Sequence, residues 1–317
     1  MFLIEDTIIA AKDSEFFPTS QNAFPDARLI RFANQELLSK IAPLILSVRE
    51  EYFARTKTIT MTSSLGRYVM PERALGGAFK NLFYLSDVTK PLNRVPIPKI
   101  NPHDVNSGLV TRRSPYAFFI EGDEIILDPT PTSVNASERL QWAYHSRPNR
   151  LVATTSCAKI TAVAGGVFTV NTDLTGSLSV GSKVDFLSAK TPFLLWAEDV
   201  VITAITATTI TVAAADVQND VGTVEPIVND YICPAGFANI AMIPLEAHIL
   251  LSELMTYRAM KALGALKNVQ EIKVHIQDLV SNILKMLSNR VENEVDVIYD
   301  RDSILESSMG RWFGGGF

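Results

Sequence analysis

Cysteine is scarce in this chain: 317 residues contain two, Cys157 and Cys233. Two thiols cannot make the disulfide framework of a small secreted fold, and they point to synthesis in a reducing cytoplasm. They flank a β-rich stretch whose ends must leave their host close together, so two buried neighbouring thiols are expected ahead of a bridge. Histidine is also rare. His103, His145, His248 and His275 fall in separate elements without metal-ligand spacing, and each reads as a surface or hydrogen-bonded histidine. No run of about 18 apolar residues occurs, so no membrane-spanning helix is expected. Glu5 and Asp6, just ahead of Ile8-Ile9, do not suit a signal or transit peptide. Walker-type phosphate loops, G-x-G-x-x-G turns and G-x-S-x-G elbows are all missing. The expectation is a non-enzyme with no cofactor, no metal and no catalytic residue.

What is present is ordinary globular composition, with 47% hydrophobic and 20% charged residues. The length suits one large domain or two modest ones. The net charge of −5 is concentrated. Between Val152 and Asp230 three lysines face eight carboxylates, which leaves the rest of the chain neutral. A protein that grips a duplex would carry a basic stripe, and none is visible.

Residues 1–24 lack a sustained period and read as a loosely structured arm. Pro25 then opens a helical pattern through Leu29, Ile30, Ala33, Leu37 and Ile41. Pro43 must kink or divide that helix, so two pieces meeting at Ala42-Pro43 are expected, the second running through Leu44, Ile45, Val48 and Tyr52. Strand texture follows at Thr58–Met61 and Tyr68–Pro71, with a turn at Gly66. Residues 86–114 carry four prolines and read as a long surface loop. Tyr116–Glu121 and Glu124–Asp128 form the clearest hairpin, because Gly122-Asp123 has the type II′ signature. A third strand, Leu140–Tyr144, ends at Arg147-Pro148.

From Thr154 to Asn229 short β-branched runs alternate with turns, giving five or six strands and no helix. That reads as an inserted small all-β barrel or sandwich at 154–230. Helix returns at Pro244 and stops at Gly264, with a narrow polar stripe through His248, Ser252 and Thr256. Asn268 and Glu271 resemble a capping box for a second helix, whose stripe runs Val269, Ile272, Ile276, Leu279, Ile283 and Leu287. The αα-hairpin and the kinked N-terminal helix are expected to form a helical-bundle core, an α+β fold with β appendages. The core would span 25–153 and 231–292, followed by an extended tail at 293–317. Ile304, Leu305, Trp312, Phe313 and Phe317 have no period that would bury them within the chain, so they are read as docking residues. Asp300-Arg301-Asp302, Glu50-Glu51 and Glu121/Glu124 read as solvated carboxylates.

Several stretches together resemble the head-to-tail adaptor, or tail accessory factor, family of short-tailed bacteriophages. Arg28-Leu29-Ile30-Arg31-Phe32-Ala33-Asn34 is similar to the family's R-L-x-x-x-A-N helix. Gly66-Arg67-Tyr68-Val69-Met70-Pro71 resembles its G-x-Y-x-L-P strand, with methionine in place of leucine. Gly122-Asp123-Glu124-Ile125-Ile126-Leu127-Asp128-Pro129-Thr130-Pro131 is very like its G-D-x-I-x-L-x-P-x-P hairpin. Leu140 to Tyr144 through Arg147-Pro148, and Pro244 to Leu263-Gly264, resemble the segments that follow. The likeness covers roughly residues 25–150 and 234–292, and the insert has no counterpart in the smallest members. It implies a structural virion protein at the head–tail junction, assembled in the bacterial host cytoplasm. Its partners would be the portal protein, tail nozzle or tail hub proteins, and itself, as a homododecamer ring. DNA would pass through the lumen without specific binding, and no membrane would be involved. The alternatives are another tail or collar ring component, or a carbohydrate-binding virion protein with Phe193 and Trp196 as stacking rings.

Overall fold

A computed structural model describes residues 2–17, 24–87, 93–104, 115–190, 193, 195–217, 226–264 and 266–288. The chain divides into two units, Met1–Leu287 and Ser288–Phe317, and the architecture below is that of the first.

The N-terminal stretch is not a loose arm. Helix α1 (Ile4–Lys12) buries Ile4, Ile8 and Ala11 on one face. Their spacing of four and three is a single helical turn repeated, and burying each isoleucine stabilises by about 1.5–3 kcal/mol. The Glu5 carboxylate accepts the Thr154 amide at 2.7 Å and its hydroxyl at 2.5 Å, which ties α1 to a distant loop.

Helix α2 (Asp26–Glu36) begins after Pro25 and buries Leu29 and Ala33. The expected break at Pro43 takes another form. A π-helical turn, Leu37–Ile41, carries the backbone straight into α3 (Ala42–Val48), with Pro43 in its first turn. Proline supplies no N–H and its ring crowds the carbonyl four residues back. The wider turn absorbs that conflict without ending the helix.

Strands β1 (Ala54–Thr60), β2 (Arg67–Val69), β3 (Ala74–Leu85) and β4 (Arg94–Ile97) follow. The twelve-residue β3 went unread because Gly76 and Gly77 interrupt its pattern, and β4 lies inside the expected proline-rich loop. Pro96 is tolerated there because β4 is an edge strand. Next come β5 (Ala117–Glu121), β6 (Glu124–Asp128), β7 (Arg139–Ser146) and β8 (Arg150–Leu151). The first sheet is ordered β1-β7-β3-β4 and the second β2-β6-β5. Strand β7 alternates strictly, burying Leu140, Trp142, Tyr144 and Ser146.

Strands β9 (Ala158–Ala164), β10 (Val167–Val170), β11 (Lys183–Leu187), β12 (Leu195–Ile205), β13 (Thr209–Val212) and β14 (Tyr231–Pro234) close an all-antiparallel barrel. Its order is β10-β13-β12-β11-β14-β9, and β9 pairs back onto β10. The sixth strand therefore lies just past the expected boundary at residue 230. Phe168 and Phe186 fill the interior with ring centroids 4.7 Å apart. Gly166 lets the β9–β10 turn approach β13, since a Cβ there would strike the Val212 carbonyl oxygen. Cys157 and Cys233 form a disulfide, contrary to the expectation of two thiols. Antiparallel pairing of β14 with β9 brings the two cysteines together.

Strand β15 (Phe237–Ala238) pairs in parallel with β8. Helix α4 (Ala247–Leu263) stops at Gly264, whose φ of +74° is the left-handed conformation that glycine adopts without strain. Helix α5 (Leu266–Leu287) starts two residues before the expected cap at Asn268. The polar stripe on α4 is covered: His248, Ser252 and Thr256 are buried, and the Thr256 hydroxyl donates to the Ala11 carbonyl at 3.0 Å.

The expected helical-bundle core is corrected by these packings. The described residues are mixed, 33% helix and 34% strand, and a closed barrel is a major body among them. Among the described residues the buried side chains fall into four hydrophobic clusters: one among the helices, one inside the barrel, one in the two small sheets, and one around the disulfide. The helices hold one layer and do not organise the rest. Among the described residues no helix is long and apolar enough to cross a membrane.

Candidate docking surface

The most concentrated chemistry is a buried charge cluster where the barrel meets the first sheet. On β11, Val184 and Phe186 point into the barrel, so Asp185 points out, yet it is fully buried. A bulge in β12 at Glu198-Asp199, with Asp199 at φ +56°, turns two more carboxylates toward it. Arg73 spans Asp185, Nη2 to Oδ1 and Nη1 to Oδ2 at 2.8 Å each, and reaches Asp199 at 3.0 Å. Asp185 also accepts from Asn149 Nδ2 at 2.8 Å and from the amides of Asp199 and Gly236 at 3.0 Å. The Tyr144 hydroxyl donates to Glu198 at 2.8 Å.

Burial works against the charge on Arg73. The hydrogen bond and charge of Asp185, then Asp199 and Glu198, overcome it and hold the pKa above its ordinary value. Asp185 accepts hydrogen bonds on both oxygens and so joins two bodies, while Arg73 Nη1 and Glu198 Oε2 are buried without a hydrogen-bond partner among the described residues. The Glu121/Glu124 pair and Glu50 also have basic side chains beside them. Glu121 and Glu124 both meet Arg67, and Glu50 meets Lys80 and His145.

His248 departs from the sequence reading. It is buried against Phe2 and Phe193, ring centroids 5.1 Å away in both cases, and neither ring nitrogen has a hydrogen-bond partner among the described residues. Burial lowers its pKa to about 4. Phe193 is therefore core, and Trp196 is held by donating Nε1 to Asp230 at 2.9 Å. Phe193 is thus covered, while Trp196 is half-buried against the barrel core.

An open concavity lies instead in the helical layer. The π turn and α3 form one wall, α4 the floor and α5 the other wall of a groove of about 640 Å³. Leu44, Leu250, Leu254, Tyr257, Ile276 and Val280 make its surface, with Lys40 and Lys273 contributed by opposite walls. Lys40 is held over the Tyr257 ring at 5.1 Å and pairs with the buried Glu36 at 2.7 Å, and Arg258 pairs with Glu36 from α4. This surface was missed in the sequence. The stripes of α4 and α5 were legible, but the width of the gap between them was not.

Of the residues singled out beforehand, Gly122 and Asp123 form the two-residue connection between β5 and β6. Glu121 is paired with Glu124 there, and Gly122 sits at φ +60°. Ile304, Leu305, Trp312, Phe313 and Phe317, with Asp300-Arg301-Asp302, lie outside the described residues. Among the described residues no cluster of three or more histidine, cysteine, aspartate or glutamate side chains is arranged to hold a metal.

The stretches that carried the family likeness meet in space. Gly66 passes close to Thr130, and the Leu127 amide donates to the Gly66 carbonyl at 2.8 Å, so the second sheet joins two of them. Asn34 donates to the Leu151 carbonyl at 2.9 Å and accepts the Leu151 amide at 2.7 Å, clasping α2 to the segment just after Arg147-Pro148. No family model matches this sequence, and no curated protein matches it.

Proposed function

We propose that this chain is a structural virion protein, a head-to-tail adaptor that forms a ring against a phage portal. The observation that carries the reading is the mutual contact of the resembling stretches. The asparagine of R-L-x-x-x-A-N clasps the backbone after R-P, and the G-x-Y-x-M-P strand pairs with the G-D hairpin. Motif residues that hold one another in register are the expected pattern where a family is defined by its architecture. Outside residues 152–230 the formal charge sums to zero, as suits a body that lines a DNA path without holding phosphates. Dodecameric assembly, contact with portal and tail nozzle or hub proteins, and a place at the head–tail junction are parts of the proposal. The test is native mass spectrometry of the chain mixed with the portal ring of its phage. Twelve copies per portal are expected. A protein that ignores the portal and stays in one small symmetric oligomer overturns the reading.

A further inference from the structure

We infer that the groove between α3, α4 and α5 receives the acidic, aromatic C-terminal segment of a second copy of this chain. This rests on the ring reading for its commitment to a second copy, and on the groove and the sequence for the rest. The groove is an apolar trough whose lining holds two lysines and no carboxylate, Lys40 being paired with Glu36 beside it and Lys273 standing on the opposite wall. Lys273 has no ion-pair partner among the described residues. Helix α5 packs on α4 and α3 from one side only and leaves Val274 59% and Met286 46% exposed.

Residues 293–317 are complementary to that trough in both respects. They hold five carboxylates, Glu294, Asp296, Asp300, Asp302 and Glu306, against Arg301 and Arg311. They also hold Trp312, Phe313 and Phe317, aromatic anchors of the kind that carry most of the energy of an interface. Thirty residues follow Leu287, and at about 3.3 Å per extended residue they reach up to roughly 100 Å, enough to cross to a neighbour. A groove on one face and a matching segment elsewhere on the same chain make a heterologous contact. Repeated around an axis, such a contact gives a ring where its rotation closes.

The test needs no portal, so it is separable from the adaptor reading. Two full-length variants are made: Lys273→Glu with Gln277→Glu, both exposed on α5, and Trp312→Ala with Phe313→Ala. Sedimentation equilibrium is run on the native chain, on each variant, and on their mixture, with circular dichroism to check that the helical signal is kept. The native chain is expected to self-associate and each variant alone to lose about 30-fold or more in affinity. The mixture, which pairs an intact segment with an intact groove, should recover a heterodimer. A native chain that stays monomeric overturns the inference, as does self-association unchanged in both variants. So does a mixture that stays apart.

Discussion

Replacing Asp185 by asparagine should cost more stability than any change of its size elsewhere on the surface of the barrel. The side chain keeps its shape and loses one acceptor oxygen. Oδ2 faces two hydrogen-bond donors, Asn149 Nδ2 at 2.8 Å and the Gly236 amide at 3.0 Å, and stands 2.8 Å from Arg73 Nη1, which pairs with it by charge alone. Oδ1 faces two, Arg73 Nη2 at 2.8 Å and the Asp199 amide at 3.0 Å. Whichever way the new amide turns, its NH₂ opposes at least two buried donors. Each orphaned donor costs about 1–3 kcal/mol, and breaking one side of a buried ion pair costs about 3–5 kcal/mol. Asp199 and Glu198 still neutralise part of Arg73, at 3.0 and 3.9 Å, so about 4 kcal/mol is expected. At about 2 °C per kcal/mol for a body of this size, the melting temperature should fall by about 8 °C. Urea denaturation followed by Trp142 and Trp196 fluorescence measures it. Asp199→Asn, with a side chain 25% exposed, is the control and should cost about 1 kcal/mol or less. If the two variants lose equal stability, the cluster is not what joins barrel to sheet.

The buried His248 makes stability depend on acidity. Its folded pKa of about 4 lies below the ordinary 6.5, so as pH falls through 6.5 the unfolded chain takes up the proton first. Stability from this residue is complete above 6.5 and declines by about 3 kcal/mol by pH 4. His248→Met should shrink the difference between urea midpoints at pH 7 and pH 4.5, and an unchanged difference would exclude the histidine as its source. The disulfide closes a separation of 76 residues. Cys157→Ala with Cys233→Ala should therefore lower stability by about 4 kcal/mol. Reductant added to the native protein should shift its urea midpoint the same way, and indifference to both would show that the bridge constrains nothing.

Local order was legible in the sequence wherever one residue type or one period dictates the backbone. Gly122-Asp123 forces a two-residue turn because only glycine enters the left-handed region freely, and Gly264 stops α4 for the same reason. The alternation from Arg139 to Ser146 can only be a strand with one buried face. The acidity of residues 152–230 was also legible, but not its placement. Asp185 is buried because β11 is covered on both faces, and Asp230, just before β14, because Ala189, Trp196 and Ile227 close their donors on it; a covered carboxylate needs donors supplied from elsewhere in the chain.

Contacts between segments far apart in sequence decided the rest. Residues 4–12 lack a strong polar face, so α1 shows as a helix only once α4 offers Thr256 and its apolar neighbours as a second wall. The cysteines, 76 residues apart, are joined because antiparallel pairing of β14 with β9 brings them together, and no spacing rule encodes that register. Each helical stripe was visible by itself. Their failure to meet along the line from Leu44 to Val280, which leaves the groove, depends on interaxial distances set by side chains from three helices at once.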